Sequence, residues 1–169
     1  MTLGQKIVFD ETHHNGVYNR IMTFKRIISG EDVRGDLADF IRLDIDRWAK
    51  VAYREIALEE VRCRYYPFYP SRMACLYTTR TLQEAEKWAG YFQQIGRTVY
   101  SVVKLKVQGR IFDGDACNCF DGTMYEAENI KKAHQYWAMD VKNDKPVIET
   151  LVDGEIIVDE IIKEFAVTV

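Results

Sequence analysis

Residues 145–162 read KPVIETLVDGEIIVDEII, two apolar runs joined by Asp153-Gly154. Asp-Gly is the dipeptide that best fits a tight two-residue turn, so the stretch predicts a β-hairpin. Strand side chains alternate between faces, which puts Val147, Glu149 and Leu151 on one side and Ile148, Thr150 and Val152 on the other. Glu149 therefore stands between two apolar neighbours on its own face. A carboxylate there is costly unless the face opens on a cleft, or unless a cation or hydrogen-bond donors meet it. The plain alternative is an edge-strand glutamate, solvated or salt-bridged.

The chain has 169 residues, 47% hydrophobic and 29% charged, which suits one globular domain over 1–169 and excludes a disordered chain. No apolar run reaches the length of a membrane span, and no N-terminal stretch has the form of a signal peptide, so a cytoplasmic location without membrane contact is expected. The net charge of -3 is unevenly spread: residues 1–110 carry +5 and residues 111–169 carry -8. The basic portion could face the phosphates of a nucleotide or nucleic acid, or be an ordinary solvated surface. Cys63, Cys75, Cys117 and Cys119 lack the spacing of a zinc site and read as reduced, partly buried thiols, and no metal is expected.

Outward from the opening stretch, the chain reads as strands near both ends and helices between, an α+β pattern. Lys6–Phe9 and Arg20–Ile28 carry strand signals, separated by ETHHNG with a turn at Asn15-Gly16. Ser29 is placed to cap a long helix from about Glu31 toward Val61, with a break near Tyr53. The segment 63–71, CRYYPFYPS, has two prolines that forbid a helix interior, and aromatic side chains that would stack on a flat ring or cover a core. Met73–Thr79 reads as a short strand. Thr81-Leu82-Gln83-Glu84 is a capping box that opens a helix ending at Gly96, and Thr123-Met124-Tyr125-Glu126 is a second box. Residues 98–107, TVYSVVKLKV, alternate cleanly as a strand, and another begins at Gly109.

A strand of the form apolar-Glu-x-Leu-Val followed by a turn and EIIVDEII resembles the C-terminal catalytic segment of the ADP-ribosyltransferase superfamily. It is most similar to the bacterial toxin branch that modifies nucleic acid. A strand rich in hydroxyl residues running into a helix, as at 73–85, is a second similar feature. The resemblance implies a split β-sandwich with helices packed on it, and NAD as the substrate. It makes Glu149 the catalytic residue, puts Tyr77, Thr78 and Thr79 at the nicotinamide site, and lets Ser71 and Arg72 bring a guanidinium to a phosphate. The superfamily's first-strand His or Arg, which holds the NAD ribose, has His13, His14, Arg20 and Arg26 as competitors, with His13 taken as the candidate.

The chemistry fits such residues. Cleavage at the nicotinamide–ribose bond passes through an oxocarbenium-like state, which a fixed carboxylate stabilises. The acceptor would be a macromolecule, nucleic acid or protein. A toxin or phage-conflict effector of this kind would be matched by an antitoxin or inhibitor protein. The competing class is a catalytically inactive binding module that grips a protein or nucleic-acid partner.

Overall fold

The alternating segments become strands, but they are shared between two sheets. The computed structural model describes residues 1–166. One three-stranded antiparallel sheet has the order β1-β6-β3, with β1 Lys6–Phe9, β3 Ser101–Gln108 and β6 Gly154–Glu164. The other has the order β2-β5-β4, with β2 Leu76–Thr78, β4 Ile111–Asp115 and β5 Ile148–Val152.

The expected hairpin is therefore corrected. β5 and β6 do not pair with each other, and Asp153-Gly154 is a corner where the chain leaves one sheet for the other. Its counterpart is Gly109-Arg110 between β3 and β4. Gln108 faces Glu155 on one side of the corner, and Ile111 faces Val152 on the other. The two corners press backbone against backbone: a Cβ on Gly109 would lie 2.0 Å from the Asp153 carbonyl oxygen, and Gly154 sits at φ +78°. Asp153 accepts from the Arg110 backbone N–H (2.8 Å) and from its Nε (2.8 Å), and Arg110 Nη1 donates to the Pro67 carbonyl (3.0 Å). A dipeptide suited to a tight turn thus serves a sharp bend, because both uses need a left-handed residue and an acceptor side chain.

Five α-helices complete the α+β fold among the described residues. They are α1 Gly16–Ile28, α2 Asp36–Arg42, α3 Ile45–Tyr65, α4 Leu82–Gln94 and α5 Glu126–Ala138. The strand expected at 20–28 is part of α1: Val17, Ile21, Phe24 and Ile27 recur at helical spacing against a cluster with Ile41 and Ala52. Asn15 is its N-cap, accepting from Val17 N and Tyr18 N, rather than a turn residue. Ser29 ends α1 instead of starting the next helix, and the break falls at Leu43-Asp44, where Asp44 caps α3. The box at Thr81 forms as read. The one at Thr123 does not: Asn129 folds back to accept from Thr123 N (2.9 Å) and donate to its carbonyl (2.8 Å).

The main core lies between the β2-β5-β4 sheet and the pair α3 and α5. Leu58 and Val61 of α3, Ala133, Tyr136 and Trp137 of α5, Phe112 of β4 and Leu151 of β5 fill it. That core fixes the sheet face on which Glu149 stands. No helix among the described residues is long and apolar enough to cross a membrane.

Candidate functional site

Glu149 lies near the start of the central strand β5. Two residues on, and on the same face, Leu151 is wholly buried against α3 and α5. Strand alternation therefore directs the carboxylate toward the helices, where it meets Arg72 and Tyr136. Arg72 Nη1 donates to Glu149 Oε1 at 2.5 Å, and the Tyr136 hydroxyl donates to the same oxygen at 2.8 Å. Glu149 pairs across the sheet with Gly114, whose bare α-carbon leaves room for the phenol: a Cβ there would sit 3.1 Å from the Tyr136 hydroxyl and 2.7 Å from Phe112.

Oε1 thus takes two donors and Oε2 takes none among the described residues. No buried side-chain nitrogen or oxygen among those residues lacks a partner, so Oε2 reaches solvent. The side chain as a whole is 12% exposed. A carboxylate gripped by one oxygen and open at the other is fixed in position yet able to accept from a ligand.

Arg72 is set by its backbone. Asn15 donates through Nδ2 to the carbonyls of Arg72 (2.8 Å) and Cys75 (3.0 Å), and the Tyr77 hydroxyl donates to the Arg72 carbonyl (3.0 Å). Its guanidinium is buried and gives Nε to Glu55 Oε2 (3.0 Å) and Nη1 to both Tyr136 and Glu149, while Nη2 meets the Cys119 sulfur at 3.5 Å. Glu55, itself buried on α3, accepts from Arg54 Nε at 2.9 Å. The result is a neutral chain of alternating charge, Arg54, Glu55, Arg72, Glu149, whose members balance one another away from water. Burial opposes the charge on Arg72, but Glu55, Tyr77, Tyr136 and Glu149 outweigh it and hold the guanidinium well above its ordinary value. Burial pushes the Tyr136 phenol well up as well, so it stays a protonated donor.

On the sheet's other face runs a cavity of about 950 Å³, roofed by α4 and floored by β3. Glu149, Tyr77, Thr78, Thr79 and Thr150 form part of its wall, with Trp88, Phe92 and Arg97 further along. The volume falls within the range of roughly 300–1,000 Å³ usual for small-molecule sites. Tyr77 is 37% exposed, and Thr78 donates its hydroxyl to the Thr150 carbonyl at 2.9 Å.

Of the residues expected at the site, Glu149, Tyr77, Thr78 and Thr79 all border this cavity, but the strand register sets Tyr77 on the helix face with Glu149, where both meet Arg72, and Thr78 on the opposite face with Thr150. Each of the three guanidinium nitrogens of Arg72 engages a protein group. Ser71 is buried and donates to Glu59 at 2.8 Å, which secures the aromatic loop to α3. His13 is exposed, bonded to Asp10 at 2.8 Å, and does not line the cavity. His14 stacks on Tyr18 with ring centroids 3.7 Å apart, and His134 packs on Tyr65. Among the cysteines only Cys75 is buried; Cys63 and Cys117 are exposed, and all four are free thiols. No group of three or more His, Cys, Asp or Glu that could hold a metal ion occurs among the described residues.

Sequence reading passes over Glu55 and Tyr136. Glu55 was legible by the reasoning applied to Glu149: it stands three residues from Ala52 and three from Leu58, a charge on the buried stripe of a helix. Tyr136 offers no such sign, since a tyrosine in a helix is unremarkable until its hydroxyl is seen beside a carboxylate.

Residues 1–164 match the model of a family described as "Protein of unknown function (DUF2441)". No curated protein matches the chain.

Proposed function

The chain belongs to the DUF2441 family, and we propose that it is an NAD-dependent ADP-ribosyltransferase in which Glu149 faces the ribose next to nicotinamide. The observation that carries this reading is the half-engaged carboxylate, with Oε1 held by Arg72 and Tyr136 and Oε2 without a hydrogen-bond partner among the described residues and reaching solvent. Two further features support it. Tyr77, partly exposed, shares the helix face of the sheet with the carboxylate, and the split pair of antiparallel sheets suits the architecture that the sequence resemblance implies.

In this reading Oε2 accepts from a ribose hydroxyl. The bond from the ribose C1′ to the nicotinamide nitrogen then breaks, with its electron pair leaving on neutral nicotinamide. The carboxylate stabilises the positive charge left on the sugar, an interaction that strengthens as the bond opens. An acceptor atom on nucleic acid or protein attacks C1′ and gives up its proton. The Tyr77 ring packs on nicotinamide, and Thr78 lies next to it. Arg72 is a positioning group for Glu149 rather than a ligand of the diphosphate. A conflict effector with a cognate inhibitor fits this activity, as the family resemblance implies.

The second reading, an inactive binding module, draws on the same network, because every guanidinium nitrogen of Arg72 already bonds a protein group. Labelled NAD separates the two. The wild type is incubated with NAD and either nucleic acid or cell lysate, beside Glu149→Gln and Glu149→Ala. Transfer of label by wild type alone supports the transferase. Equal, negligible transfer by all three, with no NAD binding by calorimetry, supports the module.

A further inference from the structure

We propose that Glu55 is a positioning residue for Glu149, acting through Arg72, and that its role is to keep one oxygen of Glu149 open. The inference deepens the reading of the same site and rests on it for its kinetic arm only.

An arginine facing a single carboxylate ordinarily takes both oxygens with two parallel N–H donors. Arg72 does not do this. It donates Nε to Glu55 Oε2 at 3.0 Å, and only Nη1 reaches Glu149, at Oε1. The guanidinium is therefore shared between two carboxylates on different elements, α3 and β5. Its plane is fixed from behind by Glu55, which is fixed in turn by Arg54 at 2.9 Å. The groups packed around it complete the restraint: the rings of Tyr77 and Tyr136 lie 5.3 and 5.0 Å from its central carbon, and Nη2 meets Cys119. Without an acceptor at position 55, Nε is unpartnered in a buried site. The guanidinium is then expected to turn so that it takes both oxygens of Glu149, a two-bond pairing that consumes the oxygen the ligand needs.

Two variants separate this role from simple bulk or charge. Glu55→Gln removes the charge but leaves an amide oxygen for Nε. Glu55→Met keeps the volume and removes the acceptor. Crystal structures of both are compared with wild type, and NAD cleavage is measured as kcat and KM separately. The expected result for Gln is one bond between Arg72 and Glu149, with kcat within about threefold of wild type. For Met it is both oxygens engaged, with kcat down at least about tenfold and KM within about twofold, the pattern of a lost transition-state interaction. A Met variant that leaves Oε2 unbonded and kcat unchanged overturns the proposal. So does a Gln variant that already shows the two-bond pairing, which remains decisive if the Met variant fails to fold. Absence of NAD cleavage by wild type itself refutes the transferase reading, and the crystallographic comparison then judges the role of Glu55 alone.

Discussion

The two faces of β5 are built to different standards. On the helix face, Leu151 is fully buried against Leu58, Phe112 and Trp137, and Glu149 is locked by a charge network with its partners at 2.5–3.0 Å. On the other face, Thr150 and Val152 border a cavity under α4, a helix of 13 residues that buries only Ala89. By contrast α3, on the first side, buries six residues, two of them charged. A tightly packed side can hold a carboxylate to a few tenths of an ångström, and a loosely packed side can admit a ligand. The strand they share thus carries one rigid face and one yielding face.

Breaking the packed side should give the largest effect. Arg72→Met strands Glu55 and Glu149 as buried, unbalanced carboxylates, and should destabilise the fold by about 3–5 kcal/mol in urea unfolding. Leu151→Ala should cost about 2–5 kcal/mol, whereas Phe92→Ala, on the cavity side, should cost about 1 kcal/mol or less. Similar losses for these two would contradict the contrast between the faces. Gly114→Ala should cost about 1–3 kcal/mol, because its methyl meets Phe112 and the Tyr136 hydroxyl. A crystal structure of that variant should show the bond from Tyr136 to Glu149 lengthened.

The smallest effect belongs to the cavity rim. Asp113 is held below its ordinary value chiefly by its hydrogen bond from Arg80; burial opposes this, and the Thr150 hydroxyl and the Arg80 charge add to it. A depressed carboxylate stabilises the fold above its unfolded-state value of about 3.9 and loses that contribution as pH falls through its lower folded value. The pair is half exposed, so the contribution should be under about 1 kcal/mol. Asp113→Asn should therefore show a flatter loss of melting temperature below about pH 4 than wild type; identical profiles would remove Asp113 from the acid response.

Much of this contrast could be read from residues alone. Local signals were sufficient where one element decides the outcome: the box at Thr81 produced α4, and the alternation at 98–107 produced β3. They failed where a distant partner decides. Arg20–Ile28 is as apolar as a strand, but Asn15 caps it and Ile41 and Ala52 receive its helical face. Asp153-Gly154 satisfies a tight turn and a sheet corner equally, and Gly109, more than forty residues earlier, selects the corner. The same limit applies to the site. A carboxylate on an apolar face marks Glu149 as unusual, but Arg72 and Tyr136 come to it from 77 and 13 residues away. Their approach follows from how α5 and the aromatic loop pack, which no local pattern records.

The most direct test is the release of nicotinamide from NAD by wild type and Glu149→Gln, after both have been shown to share one melting temperature. Wild type should release nicotinamide, and the variant should do so at least about 100-fold more slowly, as expected for loss of a preorganised charge at a developing cation. Equal rates in the two proteins would contradict a role for the open oxygen of Glu149.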